Sequence, residues 1–430
     1  MDHPQHIPHL VFADNTGKIV DFSDLQMAGM SGGNFFQPDL HELIPLPSGS
    51  ELFTLPGRLP VGWDPVGCEP ALLQENPYSK GANIHAVAAF IAPAHTSIFT
   101  CSYQTTPGAP TLPLFAYTAV GWYADQFWVT AFRSDRDKRQ DADQYKQADV
   151  IRLTNKKLKQ FKNNRLIQHL GKCCLTYGCP AARNYFLGRW EAPLPTSPSC
   201  NARCLGCISL QPSGCCPATQ DRIKFVPSPV EISQLAIPHL QNAENPIVSF
   251  GQGCEGEPLL QATTLEESIK IIRKETSQGT INCNSNASLP AVVKTLAKTG
   301  LDSLRVSLNS AQEDYYNKYY RPQNYSFDEV LQSIDTMKEA GRFVSLNYFI
   351  LPGFTDSESE FEALCLLIEK HNPDFIQLRN LNMDPEWYLT SMDMPDGIPS
   401  LGVLEWLHLL KDQFPSLRTG YFNPAVHNNH

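Results

Sequence analysis

The second half of the chain alternates short apolar runs with amphipathic stretches, and this alternation constrains its fold more than any other feature. The runs have the length and β-branched content of buried strands. The strand candidates are NPIVSFG (245–251), GTINCN (279–284), DSLRVSL (302–308), RFVSLNYFIL (342–351) and DFIQLRN (374–380). Strands that alternate with helices form parallel sheets built from βα units. With a further strand leading into Cys200, the pattern predicts a partial (β/α)6 barrel of the TIM type, in the α/β class.

Helix starts in this region carry the S/T-x-x-E pattern of a capping box, in which side chains satisfy free N–H groups of the first turn. The pattern occurs at Thr264 with Glu267, Ser326 with Glu329, and Thr355 with Glu358. We therefore expect a helix to begin at each of these positions.

The 430 residues exceed what one hydrophobic core usually organises, so we expect more than one domain. Residues 1–140 combine short β-type runs with turn clusters rich in proline and glycine, which predicts a mostly β N-terminal domain of unassigned role. Residues 141–190 have the pattern of a helical connector that contains cysteines. It ends at the proline-rich EAPLPTSPSC. The barrel is expected over residues 191–385 and a C-terminal extension over 386–430.

Composition and charge exclude several classes of protein. A formal net charge of −10 makes nucleic acid an unlikely partner, because proteins that bind it usually carry a basic surface. No apolar run approaches the length of a membrane-spanning helix, so no membrane partner is expected. The start of the chain, MDHPQHIPHLVFADN, lacks the basic and then apolar layout of a signal peptide. These features predict a cytoplasmic protein.

Thirteen cysteines are many for a chain expected in a reducing compartment, where disulfides are rare and clustered thiols commonly bind metal. Cys200, Cys204 and Cys207 follow the spacing Cys-x3-Cys-x2-Cys, directly after the first predicted strand. Three thiolates on one loop can bind three irons of a 4Fe-4S cubane and leave the fourth iron open for a chelating cofactor. The alternative is a zinc site that Cys215 and Cys216 would complete.

The segment CNARCLGC (200–207) resembles the CxxxCxxC signature of the radical S-adenosylmethionine (radical SAM) superfamily. It departs from the family at Gly206, where an aromatic residue commonly precedes the third cysteine. The resemblance implies that Cys200, Cys204 and Cys207 bind a 4Fe-4S cluster. It also implies that S-adenosylmethionine chelates the open iron through its amino and carboxylate groups.

Motifs that follow the next strands extend this resemblance over roughly residues 190–385. EGEP (255–258) resembles the family's GGEP motif, SNA (285–287) resembles a threonine-asparagine-glycine turn, and RVSLNS (305–310) resembles the RVSLDS of the molybdenum cofactor biosynthesis enzyme. By this resemblance the residues that bind S-adenosylmethionine are Glu255, Gly256, Glu257, Ser285, Asn286, Ser307 and Asn309. The alternatives are an ordinary strand-to-helix turn at 255–258 and a helix-capping role for Asn309.

The resemblance also implies a reaction. A one-electron reductant such as flavodoxin or ferredoxin would reduce the cluster of an oxygen-sensitive enzyme, and cleavage of S-adenosylmethionine would give a 5′-deoxyadenosyl radical that takes hydrogen from a substrate. The substrate, whether metabolite, peptide or protein, and any catalytic side chain stay unidentified. Two other classes stay open: a zinc-stabilised binding protein, and an iron-sulfur electron-transfer protein that does not cleave S-adenosylmethionine. An auxiliary iron-sulfur cluster could draw on Cys173, Cys174, Cys179, Cys215, Cys216 and Cys254.

Overall fold

A computed structural model describes residues 3–211, 214, 216–395 and 397–426 of the chain. A mostly β N-terminal region is followed by a helical connector and then by a curled parallel sheet flanked by helices. This architecture confirms the predicted α/β fold, with a partial TIM-type barrel behind a β-rich region. Among the described residues, no helix has the length and apolar character needed to cross a membrane.

The N-terminal strands pair antiparallel, because tight turns return the chain beside itself. Gly17, at a φ of 83°, lies in one such turn between the first two strands. The larger sheet runs in the order β10-β14-β13-β1-β2-β7-β12, with β5, β6, β8 and β9 paired alongside, and a small sheet runs in the order β11-β3-β4. The strands are β1 (His9–Asp14), β2 (Ile19–Met27), β3 (Gly29–Ser31), β4 (Asn34–Phe36), β5 (Leu43–Pro45), β6 (Glu51–Leu55), β7 (Arg58–Asp64), β8 (Glu69–Leu72), β9 (Ile84–Phe90), β10 (His95–Ser97), β11 (Thr100–Cys101), β12 (Tyr103–Thr105), β13 (Val120–Tyr123) and β14 (Gln126–Arg133).

The connector consists of α1 (Gln147–Gln160), α2 (Arg165–Leu175) and α3 (Pro180–Leu187). Asn164 caps α2 by accepting a hydrogen bond from the Ile167 N–H at 3.0 Å, and Gly188 ends α3 in the left-handed conformation. The apolar faces of these helices join the same hydrophobic core as the barrel. The connector is therefore packed against the barrel rather than extended between two bodies.

The barrel strands are parallel and follow one another in chain order from β15 to β21. Their outward-facing apolar side chains pack under the helices, whereas polar side chains of β17, β18 and β19 face the interior. The elements are β15 (Arg189–Pro193), α4 (Pro229–Asn242), β16 (Glu244–Phe250), α5 (Ala262–Glu275), β17 (Thr280–Ser285), α6 (Pro290–Thr299), β18 (Ser303–Leu308), α7 (Glu313–Tyr320), α8 (Phe327–Glu339), β19 (Phe343–Ile350), α9 (Glu358–His371), β20 (Phe375–Asn380), α10 (Pro385–Ser391), α11 (Val403–Gln413) and β21 (Arg418–Gly420).

The observed strand bounds of β16 to β20 agree with the predicted ones to within one residue. The capping prediction is confirmed at Ser326, which forms the capping box of α8 with Glu329. It is wrong at Thr264, which lies inside α5, and at Thr355, because Ser357 is the residue that precedes α9. The Thr355 hydroxyl instead donates to the Phe349 carbonyl and accepts from the Leu351 N–H, so it ties the loop back to β19.

The N-terminal region docks on the β20 side of the barrel through specific polar contacts. The side chain of Asn380 accepts a hydrogen bond from the Ser97 N–H at 2.9 Å, and the Thr96 hydroxyl donates to the Leu378 carbonyl at 3.2 Å. Arg58 and Asp384 form a salt bridge of 2.8 Å in which each side chain is 3% exposed. The segment after β20 therefore forms part of the interface between the two regions.

Candidate functional site

The loop that carries Cys200, Cys204 and Cys207 lies at the carboxyl end of β15, the edge where parallel barrels place their functional groups. All three thiols are free and their residues are partly exposed. Main-chain hydrogen bonds hold both sides of the loop. The Arg203 N–H donates to the Tyr320 carbonyl at 2.9 Å, and the Leu205 N–H donates to the Tyr319 carbonyl at 3.0 Å. The loop is thus clamped against the end of α7.

The turn at residues 255–258 pairs directly with the start of this loop. The Gly256 N–H donates to the Ser197 carbonyl at 2.7 Å, and the Glu257 N–H donates to the Ser199 carbonyl at 2.8 Å. A Cβ atom on residue 256 would lie 2.0 Å from the Ser199 carbonyl oxygen. Glycine is required at 256 because the two main chains approach this closely.

The carboxylates on either side of Gly256 have different partners. Glu255 accepts four main-chain hydrogen bonds, from Thr196 and Ser197 on the cysteine loop and from Gly251 and Gln252, at 2.6–2.9 Å. Burial raises the pKa of the Glu255 carboxyl to about 8, and these N–H donors oppose that rise. A carboxylate has about four acceptor sites, so Glu255 is saturated.

Glu257 is joined to the next strand. Its carboxylate accepts from the Ser285 hydroxyl at 2.6 Å, the Asn286 N–H at 2.9 Å and the Leu259 N–H at 3.0 Å. Burial raises the pKa of the Glu257 carboxyl to about 7. With three contacts made, the Glu257 carboxylate retains acceptor capacity that Glu255 lacks.

The turn at Ser285 and Asn286 reaches the cysteine loop as well. The Asn286 side chain donates to the Asn201 side-chain oxygen at 2.8 Å, and Asn201 donates to the Ser288 hydroxyl at 2.9 Å. Asn201 follows Cys200 directly. The cysteine loop, the turn at 255–258 and the turn at 285–288 therefore form one hydrogen-bonded assembly.

Ser307 and Asn309 lie on and just beyond the neighbouring strand, β18. Ser307 is in register with Asn347 of β19. Asn309 donates to the Tyr315 carbonyl at 3.1 Å and to the Tyr388 hydroxyl at 3.0 Å, and its side-chain oxygen is buried without a partner among the described residues. No hydrogen bond in the described part of the chain joins either residue to the cysteine loop or to the turns at 255–258 and 285–288.

Aromatic residues at the end of α7 surround the cysteine loop, and the sequence analysis did not identify them. A Cβ atom on residue 206 would lie 2.9 Å from the Tyr319 hydroxyl oxygen and 3.3 Å from the Met383 sulfur. The Tyr319 ring therefore occupies space beside Gly206, where the family commonly has an aromatic residue in the loop itself. The run YYNKYY (315–320) is the one signal in the sequence, and it reads equally well as an ordinary buried helix face.

Arg222 is a second residue that sequence reasoning missed. Its guanidinium lies 3.4 Å from the Cys207 sulfur and 3.1 Å from the Ser209 hydroxyl. Burial raises the pKa of the Cys200 thiol to about 11 and raises the pKa of the Cys204 thiol well above its usual value. A bound metal would supply positive charge that favours the thiolate form of these cysteines.

The spacing of the three sulfur atoms fits a cluster better than a single ion. Two thiolates on one tetrahedral zinc, each with a bond of about 2.3 Å, lie about 3.8 Å apart. Among the described residues, the His/Cys/Asp/Glu group whose ligand atoms all lie within 4.8 Å of one another is His169, Cys173 and Cys254, and not the triplet. In a cubane each cysteine binds a different iron, which separates the sulfurs. The zinc alternative also invoked Cys215, which lies outside the described residues.

The barrel interior contains polar groups without partners. Buried atoms of this kind are the Nδ2 of Asn284, the Nε of Arg305, the Oγ of Ser345 and the Oδ1 of Asn347, within the described ranges. Strand register places Asn284, Arg305 and Ser345 side by side across β17, β18 and β19. Buried polar atoms are normally hydrogen-bonded, so this row is suited to a bound polar molecule.

Two arginines, Arg305 on β18 and Arg379 on β20, bring positive charge to the barrel interior. Arg305 donates to the Gln377 side-chain oxygen at 3.0 Å, and Arg379 stacks on the Tyr421 ring at 4.2 Å. Burial, together with the nearby charge of Arg379, lowers the pKa of Arg305 to about 10. The negative charge of Glu191 acts in the opposite direction on the pKa of Arg305, and the Glu191 carboxylate also accepts from the Asn423 side chain at 2.7 Å.

Comparison with known proteins identifies one matching family model and a curated relative. Residues 194–365 match the model of the radical SAM superfamily. A curated relative, the GTP 3′,8-cyclase of Marinobacter nauticus, is 32% identical over 107 residues, which are 24% of this chain and 31% of the relative. The matched segment thus spans about a third of that relative's length.

Solved structures of radical SAM enzymes are similar at low identity. A methylornithine synthase is 15% identical with a TM-score of 0.39, over 62% of this chain and 78% of that one. The maturase of the FeFe-hydrogenase from Carboxydothermus hydrogenoformans is 15% identical with a TM-score of 0.37, over 63% of this chain and 68% of its own.

Proposed function

The chain belongs to the radical SAM superfamily of enzymes, with its radical SAM domain at residues 194–365, and we propose that it cleaves S-adenosylmethionine at a 4Fe-4S cluster bound by Cys200, Cys204 and Cys207. The best support is the set of three free thiols on one clamped loop that pairs with the turn at 255–258. When bound, the reduced cluster supplies one electron that cleaves S-adenosylmethionine to a 5′-deoxyadenosyl radical.

The residues around the loop would hold the methionine part of the cofactor. The Glu257 carboxylate and the main-chain carbonyls beside Gly256 would accept hydrogen bonds from its ammonium group, since the Glu257 carboxylate retains acceptor capacity. Glu255, whose carboxylate is saturated, would act by fixing the loop and the turn together. Ser285 and Asn286 orient Glu257, since both donate to it.

Ser307 and Asn309 would contact another part of the cofactor, its carboxylate or ribose. The unpartnered side-chain oxygen of Asn309 supports this role, because a ribose hydroxyl could donate to it. Tyr319 supplies an aromatic surface beside Gly206 and helps to exclude water from the cysteine loop. We expect the cluster to be sensitive to oxygen and the protein to work in the cytoplasm.

The substrate would bind in the barrel interior, where the row of unpartnered polar atoms lies. Arg305 and Arg379 favour a substrate that carries a carboxylate or phosphate group. The measurement is the rate of 5′-deoxyadenosine formation with anionic and with neutral metabolite or peptide fractions. Stimulation by the neutral fractions alone would contradict the preference. A flavodoxin or ferredoxin is the expected electron donor.

The test of the proposed function is anaerobic reconstitution with iron and sulfide, followed by reduction with dithionite and detection of 5′-deoxyadenosine. Wild type should yield a product that disappears when Cys200, Cys204 and Cys207 are each replaced by alanine. Cys68→Ala, at an exposed position remote from the loop, is the matched control and should keep the activity. Product that survives the three substitutions would exclude the assignment. A reconstituted cluster that never cleaves S-adenosylmethionine would instead favour an electron-transfer protein.

A further inference from the structure

A second group of metal-ligand side chains lies where the connector meets the barrel. His169 and Cys173 are four residues apart on α2 and so share one face of that helix. Cys254 lies in the loop after β16, immediately before Glu255. The ligand atoms of these three residues all lie within 4.8 Å of one another. The sequence could not have placed them together, because the helix and the loop are about 80 residues apart.

The group is well shielded from solvent. Cys173 is 1% exposed and Cys254 is 5% exposed, whereas His169 is half-buried and packs edge-on near the Phe225 ring. The Cys173 sulfur lies 3.6 Å from the His169 Nε2. Two buried thiols and an imidazole are the donor types that zinc prefers in structural sites.

The spacing distinguishes this group from the triplet on the cysteine loop. Ligand atoms around one tetrahedral zinc lie about 3.5–3.8 Å apart, given bonds of about 2.0–2.3 Å. That separation is compatible with the observed group. Cysteines of an iron-sulfur cluster bind different irons and are farther apart. The geometry therefore favours a single ion over an auxiliary cluster.

We propose that His169, Cys173 and Cys254 bind one Zn²⁺ ion; Cys179 lies outside the group of ligand atoms within 4.8 Å of one another and is not assigned as a ligand. Cys179 precedes α3, and its N–H donates to the Cys173 carbonyl at 3.1 Å. The ion would join α2 to the loop that leads into Glu255 and Glu257. It would thereby support the turn at 255–258 through Cys254, which directly precedes Glu255.

The site is independent of the proposed reaction, and its test measures metal rather than activity. Full-length protein is purified anaerobically, and zinc and iron are measured by mass spectrometry in wild type, Cys173→Ser, Cys254→Ser and the control Cys365→Ser. Cys365 is also buried but lies on α9, away from the group. We expect about one zinc per chain in wild type and in the control, and at least a fivefold loss in the other two variants. Iron bound by the triplet should be retained.

Cobalt substitution provides a second measurement for variants that fold poorly. Co²⁺ in wild type should give a thiolate charge-transfer band, and His169→Ala, which alters a half-buried position, should shift that band or abolish it. Zinc that persists in both serine variants would overturn the proposal. So would a wild-type protein that binds neither Zn²⁺ nor Co²⁺. Loss of iron and sulfide, rather than zinc, from Cys173→Ser would assign the group to a second cluster instead.

Discussion

At position 256 the missing side chain is what allows two segments to pair. The Ser199 carbonyl occupies the space of a Cβ atom, and the adjacent main-chain hydrogen bonds depend on that approach. Cys200 follows Ser199 directly, so any shift of Ser199 displaces the first of the three thiols. The glycine thus acts on the cysteine loop without contacting a ligand.

Gly256→Ala should therefore impair cluster assembly. Relief of a contact at 2.0 Å requires the loop and the turn to separate, which would break the hydrogen bonds of Gly256 and Glu257. We expect reconstituted iron and sulfide to fall at least severalfold and 5′-deoxyadenosine to fall with them. Gly67→Ala, on an exposed turn where the nearest atom is a flexible Asp64 oxygen, is the control. Full iron content in Gly256→Ala would show that the pairing is dispensable.

For individual residues, the sequence predicted those that belong to short contiguous motifs. The cysteine triplet and the turn at 255–258 could be read because their spacing is local. Tyr319, Asn201 and Arg222 could not, because their relation to the loop depends on contacts between segments far apart in the chain. The side chain of Asn201 meets a turn 85 residues away, and no local pattern encodes that distance.

At the scale of elements, α4 is fastened to β15 by a buried histidine. The neutral His239 ring donates from Nε2 to the Trp190 carbonyl at 2.6 Å, and its Nδ1 is buried without a partner in the described chain. Protonation would add a buried N–H with no acceptor. Burial accordingly lowers the pKa of His239 to about 4.

This histidine should make folding stability depend on pH. Between pH 6.5 and 4 the unfolded chain binds a proton that the folded chain does not, so stability is present above pH 6.5 and is lost as the pH falls. The loss between pH 7 and pH 5 is about 2 kcal/mol. Urea unfolding at the two pH values isolates this contribution by comparison. The change in stability from pH 7 to pH 5 should be the same in wild type and in His408→Gln, an exposed control, and should differ from that in His239→Gln by this amount. Other titrating groups such as Glu255 and Glu257 contribute equally to all three proteins. Equal pH dependence in both variants would refute it.

The elements themselves were largely predictable, because burial on both faces gives barrel strands a continuous apolar character. β16 to β20 illustrate this. The residues at which helices begin were less predictable than the strands. Ser228 caps α4 in a capping box with Glu231 that the sequence analysis passed over, whereas Thr264 carries the same pattern inside a helix. Which hydroxyl becomes a cap depends on where the preceding chain turns, and tertiary contacts determine that.

At the scale of the whole molecule, the docking of the N-terminal region centres on Arg58. Its guanidinium donates to Asp384 and to the Pro110 carbonyl, and the same carboxylate oxygen accepts from the Leu112 N–H at 2.9 Å. Asp384 also caps α10 through its other oxygen. A single carboxylate thus serves the interface and the start of a helix.

Asp384→Ala should be strongly destabilising, since it leaves a buried guanidinium without its counter-charge. We expect a loss of about 3–5 kcal/mol in the free energy of unfolding. The matched control is Asp149→Ala, which breaks the exposed pair with Arg152 and should cost less than about 1 kcal/mol. Chemical denaturation of both variants provides the comparison. Similar losses in the two would mean that Arg58 finds other partners or water.

The predicted fold class, a β-rich region followed by a partial barrel, is confirmed, yet the sequence gave no indication of how the two regions meet. The contact between Gly32 and Gly353 is an example: the Gly32 N–H donates to the Pro352 carbonyl at 3.2 Å, and a Cβ on residue 353 would collide with Gly32. Both glycines lie in turns whose local sequence does not indicate this contact. β21 was likewise unforeseen, because a strand of three residues carries too little periodicity to detect.

The interface between the two regions joins the earliest residues of the chain to late ones. Arg58 pairs with a residue 326 positions further on, and Thr96 bonds to one 282 positions further on. During synthesis the N-terminal sheets emerge first and must wait for most of the barrel before they acquire these partners. The face that docks on the barrel is therefore exposed throughout that interval, and it includes Arg58, which is buried in the complete fold. Translation that stops before residue 384 would leave Arg58 without its carboxylate partner, so the salt bridge can form only after the chain has been synthesised through β20.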